Sequence, residues 1–384
     1  MKTLHPTALS RPLASIGILL AAVFALLLVG CGRDKSESDT GTIKVAYLGL
    51  TCEAPIFVAY EKSMFKEEGI DVELVRTDWE GLREGLANGH FHANHTLVMY
   101  LLKGIEKSAD MMITAGVHTG CLRVQVGIGS EIKSVAELRG KKIGVPTHFN
   151  SPPHMFASRV LAAAGIDPSP EAKQIEWMVF PPDQLGPAVG DGRVDAVATA
   201  DPIGTILEGQ KLVRTIADQA KDLPYAEEYC CAVVVNGELV RKHPLVAAKV
   251  TRAILKGAKW VHENPRAAAE MGVEKNYVTA SVEINTQALA MLKYTPGVTK
   301  GKQSIELVAS DMKRAKLLNE STDPVALAKR AWVDLEGVTD EWVVAQNVER
   351  IRGGGRPAVL PAERFAALFD RKACCACCCI ATID

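Results

Sequence analysis

Beyond residue 42 the chain alternates short apolar runs with segments of helical period. Apolar runs at 43–48 and 72–75 predict strands, and the i, i+3, i+4 spacing over 55–66 and 79–88 predicts helices. Strands are also expected at 111–115 and 122–128. A second set follows: a short helix at 134–138, a strand at 142–145, a helix at 152–164, a strand at 175–179, a helix at 184–189 and a strand at 194–198. Such βαβ repetition builds parallel sheets covered by helices, so the pattern predicts an α/β protein with two sheets. After a strand at 231–235 the pattern turns almost wholly helical over 243–349. It is amphipathic at 251–262 and interrupted at Asn264-Pro265.

The first thirty residues follow another logic. Residues 13–30 carry no charge, lie behind Lys2 and Arg11, and run into Leu28-Val29-Gly30-Cys31. A basic start, an apolar core and a small residue before the cut make residues 1–30 a secretory signal peptide. The ending looks like a bacterial lipobox, with Cys31 as the lipidated first mature residue. At about 0.8 kcal/mol per buried methylene, several acyl chains hold such a protein on a membrane. An uncleaved membrane helix is the alternative, since about 17 apolar residues just span a bilayer. Residues 31–41 are polar and read as a flexible tether, which places the rest outside the cytoplasm on a lipid anchor.

Charge adds little. Lys and Arg number 44 against 45 acids, so no net field points to nucleic acid or a polyanion. Cysteine adds more. Of ten cysteines, nine remain once Cys31 is set aside: Cys52, Cys121, Cys230, Cys231, Cys374, Cys375, Cys377, Cys378 and Cys379. An odd number cannot pair wholly within one molecule, so an oxidising exterior implies a free, metal-bound or intermolecular thiol. The last five crowd the end of a tail, 351–384, that contains a Gly-rich break at 353–357 and a short helix at 362–370. This is not a spaced zinc motif; adjacent thiolates suit Cu(I) or redox exchange, unless the cluster is an incidental chain end.

Four stretches carry a resemblance. They are Val45-Ala46-Tyr47, the run from Phe57 to Val72 with Tyr60-Glu61-Lys62 and Glu68-Gly69-Ile70, the block Leu138-Arg139-Gly140-Lys141-Lys142-Ile143-Gly144-Val145-Pro146, and Asp191-Gly192-Arg193-Val194-Asp195-Ala196. With His262-Glu263-Asn264-Pro265 they span about residues 43–300. In combination the chain resembles the periplasmic solute-binding family that contains the sulfonate, taurine and nitrate receptors of ABC importers and the fungal thiamine-pyrimidine synthase-like proteins. The resemblance implies a two-lobed periplasmic binding protein of type II, with two crossing hinge strands at 122–128 and 231–235. Lobe 1 would comprise 42–122 and 234–350, and lobe 2 residues 123–233.

Ligands in such sheets sit outside the carboxyl ends of the strands, so the loops after strands hold the candidates. Thr51, Cys52 and Glu53 follow the first strand at a helix start, where free N–H groups suit an anion; simple capping is the other reading. In lobe 2, Ser151 is a good N-cap and Pro152 a good first helical residue, with His148 and Asn150 alongside to help hold an oxyanion. His90 and His92 fall on one face of a short strand, and Asn94, His95 and Thr96, candidate polar contacts to an organic ligand, lead from it into a helix. The three histidines could bind a metal, or be hydrogen-bonded loop residues. Asp201 could accept from the ammonium group of a zwitterion or cap a helix at 203–208, and Trp79 could form an apolar wall or pack into the core.

His118, Thr119 and Cys121 precede the first hinge strand, and Tyr229, Cys230 and Cys231 precede the second. Side-by-side hinge strands would bring three or four thiols together, with Cys52 on the same rim. Buried structural cysteines, a disulfide and a soft-metal or ligand-binding cluster are the competing readings. The leading function is a non-enzymatic receptor without cofactor, a monomer that captures a small anionic or zwitterionic solute and passes it to an ABC permease. The alternatives are a pyrimidine-binding or synthase-like protein, which would consume a histidine and a lysine-bound pyridoxal cofactor, and soft-metal handling through the cleft and tail thiols.

Overall fold

The first apolar run forms β1 (Ile43–Tyr47), and its alternation with helices continues through β2 (Val72–Arg76), β3 (Ala93–Leu97) and β4 (Met111–His118). The computed structural model describes residues 41–352; Cys31 with its preceding segment, the residue 362–370 helix and the tail cysteines lie outside the described residues. The second set comprises β5 (Leu122–Gly127), β6 (Lys142–Pro146), β7 (Glu176–Phe180), β8 (Ala196–Ala200) and β9 (Val213–Asp218), and β10 (Cys231–Asn236) comes last. Among the described residues no helix is long and apolar enough to cross a membrane.

The strands make two five-stranded sheets, ordered β2-β1-β3-β10-β4 and β7-β6-β8-β5-β9. Their designs match. In each, three parallel strands stand side by side, a reversed strand follows, and a fifth strand closes the sheet by pairing antiparallel with the reversed one. The reversed strand is in each case the one that has just arrived from the other sheet, since β5 follows β4 and β10 follows β9. Neither strand spans the two sheets: β10 pairs with β3 and β4 from Cys231 onward, and β5 with β8 and β9 from Leu122 and Arg123. The passages are therefore the connectors 119–121 and 219–230. The pairing of β10 assigns residues 231–233 to the first sheet, whereas the sequence placed them at the end of lobe 2.

The short strand expected to carry His90 and His92 does not form there, the strand starting instead at Ala93, and β9 was not expected at all. β3 reads Ala-Asn-His-Thr-Leu, and its three polar residues hid a strand that is buried throughout. β9 alternates poorly because it is half-exposed at a sheet edge. Elsewhere pattern and structure agree closely. Helices α1 (Ala54–Glu61), α2 (Trp79–Ala87), α3 (Val98–Glu106) and α4 (Pro152–Ala163) follow strands, and the late region supplies the twenty-residue α5 (Pro244–Glu263) and α6 (Thr299–Arg314). The break at Asn264-Pro265 separates α5 from the helix Pro265–Glu274. There Asn264 Nδ2 donates to Trp260 O and Glu349 O.

Two contacts matter for what the fold can hold. The amphipathic face of α5 packs Ile254, Ala258 and Val261 into the core without exposure, and Gly257 lets it press on α1. A Cβ at Gly257 would stand 2.3 Å from Pro55 O. The second contact is charged. Arg159 of α4 is buried, donates to both oxygens of Glu228 at 2.7 Å and to Asp311 of α6 at 3.0 Å, and so joins lobe 2 to the return connector and to a lobe 1 helix.

Gly257→Ala should therefore lower stability by about 1–3 kcal/mol in chemical denaturation, through overpacking, although the same change in an unconstrained helix gains about 1 kcal/mol. A gain would show that the close approach is absent. Arg159→Met strands Glu228 and Asp311 and should lower stability by about 3–5 kcal/mol, the usual result of removing one partner from a buried ion pair. An unchanged denaturation midpoint would count against the clamp.

Candidate functional site

The loop after β1 is organised by a carboxylate. Glu53, fully buried, accepts the backbone N–H groups of Leu48 (3.0 Å), Gly49 (2.9 Å) and Leu50 (2.9 Å), and the side-chain amide of Asn94 at 3.3 Å. Burial pushes its carboxyl up to about 8, although those hydrogen bonds favour the charged form. Thr51 donates to Asn285 Oδ1 at 2.6 Å. Both side chains thus turn inward and hold the loop.

β3 runs beside this loop. Asn94 donates to Ala46 O at 2.8 Å, while both ring nitrogens of His95 and the hydroxyl of Thr96 are buried without partners. Burial holds His95 well below the usual histidine range, so its ring is neutral. The three histidines do not converge: His90 is exposed, His92 Nδ1 accepts Lys44 N–H at 2.8 Å, and His95 faces His118 edge-on at 5.2 Å. His118 in turn tilts onto Tyr294 at 4.9 Å, and the Tyr294 hydroxyl donates to Cys52 O at 3.1 Å.

Where the chain crosses between sheets, the two connectors touch. Gly120 sits against Ala220, so closely that a Cβ on it would be 2.6 Å from the Ala220 Cβ. Beside this contact Cys121 Sγ lies 2.9 Å from Cys230 Sγ. Cys52, Cys121, Cys230 and Cys231 are all buried, free thiols. The ligand atoms of Cys121, Cys230 and Cys231 lie within 4.8 Å of one another, as do those of Cys52, His118 and Cys231. The hydrogen bond with Cys230 pushes Cys121 up to about 11, and burial drives Cys231 well above the usual thiol value. Burial would raise Cys230 too, but hydrogen bonds with Cys121 and Cys231 bring it below the usual value. The four thiols converge without a disulfide.

Two other sequence candidates, Asp201 and Tyr229, are engaged by the protein itself. Both Asp201 oxygens receive the Arg123 guanidinium at 3.0 Å, and Oδ1 also takes the Thr205 hydroxyl at 2.7 Å and its N–H at 3.2 Å. Asp201 therefore caps the helix Ile203–Gly209 and neutralises a buried arginine, a partner that sequence spacing did not reveal. Tyr229 donates to Thr295 O at 2.6 Å, and its ring fills space left by Gly116. Ser151 stands at the N-cap of α4, yet its buried hydroxyl makes no capping bond and has no partner. Thr119 Oγ1, on the outward connector, is likewise buried and unpartnered.

His148 and Asn150, exposed on the loop after β6, face the first-sheet side across a cleft of about 140 Å³. Its opposite wall is Arg83 of α2, Tyr100 and Lys103 of α3, and Lys107. Trp79 packs against Tyr100 at 5.0 Å, behind that wall. The basic wall residues were not singled out from sequence, because lysine and arginine on helices read as solvated faces. Lys103 is already engaged by Glu106 at 2.7 Å and by Leu317 O at 2.6 Å. No carboxylate lines the cleft.

Among curated proteins the chain is similar to the nitrate/nitrite binding protein NrtA of Synechococcus elongatus, 26% identical over 294 residues, covering 64% of this chain and 60% of that protein. It is also similar to the bicarbonate-binding protein CmpA of the same organism, 22% identical over 330 residues, covering 74% and 72%. The chain thus spans less than two thirds of the NrtA relative's length. Among solved structures, the periplasmic aliphatic sulphonate binding protein SsuA from Escherichia coli superposes with a TM-score of 0.63 at 17% identity, covering 83% of this chain and 98% of that one. That likeness shows the periplasmic binding protein fold, whose two α/β lobes are the two sheets described above. The model of the NMT1-like family matches residues 36–273, the greater part of the chain, and the protein belongs to that family.

Proposed function

We propose that this protein is the extracytoplasmic solute receptor of an ABC importer, tethered through a lipidated Cys31, and that its solute is a small oxyanion held between the two sheets before transfer to the permease. The observation that carries the reading is the cleft: Arg83 and Lys107 on one wall, His148 and Asn150 on the other, and no acid among its lining residues. A guanidinium offers a planar fork that matches nitrate, bicarbonate or a sulfonate head. A volume of about 140 Å³ favours a solute of a few heavy atoms. The nitrate, bicarbonate and sulfonate named for its relatives are of this class.

Capture would proceed by hinge closure. Contacts made by both walls favour the closed form, because only that form lets the same anion touch Arg83 and Asn150 together. The connectors 119–121 and 219–230 are where such a motion turns. The second wall is stiffened from behind, since His154 packs on Trp177 at 4.5 Å and on Phe149 at 5.7 Å. Its Nδ1 also accepts the Asn150 N–H at 3.3 Å.

A thermal-shift panel tests the solute class. Nitrate, bicarbonate or methanesulfonate should raise the melting temperature, by the equivalent of about 2.7 kcal/mol at a hundred times Kd, and Arg83→Ala should weaken binding at least about tenfold, the usual effect of losing a charged hydrogen bond. Shifts produced only by neutral or cationic solutes would refute the reading. The wall also predicts a pH dependence. Burial, aided by the charge of His148, holds His154 down to about 4. Below its ordinary value of about 6.5 the unfolded chain takes up a proton that the folded chain refuses. Stability is therefore complete above about pH 6.5 and falls as the pH drops towards 4, by about 2 kcal/mol between pH 7 and 5 from this residue. His154→Gln, which can still accept from Asn150, should remove that share of the loss. Parallel wild-type and variant stability profiles over this range would disprove the assignment.

A further inference from the structure

The hinge concentrates more metal-binding chemistry than a folded core requires. Its donors come from four places in the chain: Cys52 after β1, His118 at the end of β4, Cys121 in the outward connector, and Cys230 with Cys231 where the return connector becomes β10. They form two overlapping triads that share Cys231, with the ligand atoms of each triad within 4.8 Å of one another. Every one of these residues is at most 4% exposed. A buried cysteine on its own behaves as a small hydrophobe. Four thiols turned toward one another are different, because each gives up apolar neighbours for weak sulfur contacts.

An independent observation points the same way. His118 is fully buried, and its Nε2 has no hydrogen-bond partner, while its Nδ1 faces Thr119 O at 3.5 Å. A ligating histidine commonly shows this arrangement, one ring nitrogen directed at a backbone carbonyl and the other left for the ion. The neutral His95 ring stands perpendicular to that of His118, with centroids 5.2 Å apart.

We infer that one soft d10 cation, Cu(I) or Zn(II), resides in the hinge, held by three or four donors drawn from the two triads of Cys52, His118, Cys121, Cys230 and Cys231. Thiolates and imidazole are the ligands both ions prefer, and hard oxygen-seeking cations find no carboxylate in this set. Bonds of about 2.3 Å place tetrahedral sulfurs about 3.8 Å apart, so binding widens the Cys121–Cys230 pair by roughly 1 Å. Loading releases the thiol protons to solvent, and the positive ion offsets the charge of the buried thiolates. Full enclosure is the mark of a structural metal site rather than one that exchanges its ion during work. Donors from both connectors would make the ion a tie across the hinge. The site does not depend on which solute enters the cleft.

The test uses the full chain with the tail cysteines replaced (C374S, C375S, C377S, C378S and C379S), reduced and anaerobic, titrated separately with Zn(II) and Cu(I) against chromophoric chelators, and with Co(II) as a spectroscopic probe. One ion per chain, a thiolate-to-cobalt charge-transfer band and a raised melting temperature are expected. Further substitution C230S/C231S should weaken binding at least about 100-fold. Should that variant fail to fold, C52S and H118Q serve instead, each lowering affinity at least about tenfold and altering the cobalt spectrum. Absence of stoichiometric binding, binding unmoved by these substitutions, or a quantitative Cys121–Cys230 disulfide in protein isolated without reductant would overturn the site. The two titrations decide which ion it holds. A solute-induced thermal shift that survives in a metal-free chain would leave the receptor reading standing while the hinge site fails.

Discussion

Antiparallel pairing of one visiting strand per sheet is the constraint on which the rest of this structure depends. β10 lies between β3 and β4, and β5 lies between β8 and β9, each hydrogen-bonded along both edges. A strand in that position cannot shift register without turning its buried side chains to the wrong face. The chain must then cross between the sheets twice, in immediate succession to β4 and just before β10. The two crossings are held side by side at Gly120 and Ala220. Residues far apart in sequence, Cys121 and Cys230 above all, meet because of this topology.

Buried charge takes over where backbone pairing stops. Arg159 reaches from α4 to Glu228 and Asp311, and Arg123 is clamped to Asp201 within the second sheet. In a medium of effective dielectric near 20, unit charges about 4 Å apart attract by about 4 kcal/mol, which falls short of the cost of desolvating both unless geometry is good. The bidentate Arg123–Asp201 contact at 3.0 Å meets that condition, whereas Arg159 shares the single nitrogen Nη2 among both Glu228 oxygens and Asp311 and leaves its buried Nε unpartnered. Such pairs add orientation more than net stability, and the orientation fixed by Arg159 is that of α4, which follows directly on the loop that bears His148 and Asn150.

How far the sequence disclosed this follows from which forces leave a periodic trace. The alternation of apolar strands and helices disclosed the fold class, and the crossing strands implied by the family resemblance would, if side by side, bring the thiols at 121 and 230–231 together. Asn94, His95 and Thr96 defeated the pattern, since polar side chains inside a buried strand look like a loop. The commitments of Asp201 and Tyr229 were invisible for another reason: Arg123, Thr205 and Thr295 come from positions with no fixed spacing to them. The basic wall of the cleft lay on amphipathic helices whose charged faces ordinarily meet only water. Local periodicity is readable along the chain; partnership across the fold is not.

These differences in legibility bear on how the molecule divides its chemistry. The cleft is lined by groups that suit a hard, hydrated anion and is open to solvent on the exposed loop that carries His148 and Asn150. The hinge is lined by soft, polarizable donors and is sealed. An anion could not replace its hydration shell among buried thiols and the neutral His95 ring, and a soft cation would find no thiolate in the cleft. The two environments therefore do not compete for the same occupant. On the proposed receptor reading, the first belongs to the surface that opens and closes and the second to its pivot, so an ion that stiffened the pivot would alter how readily the cleft closes while leaving Arg83, Lys107, His148 and Asn150 unchanged.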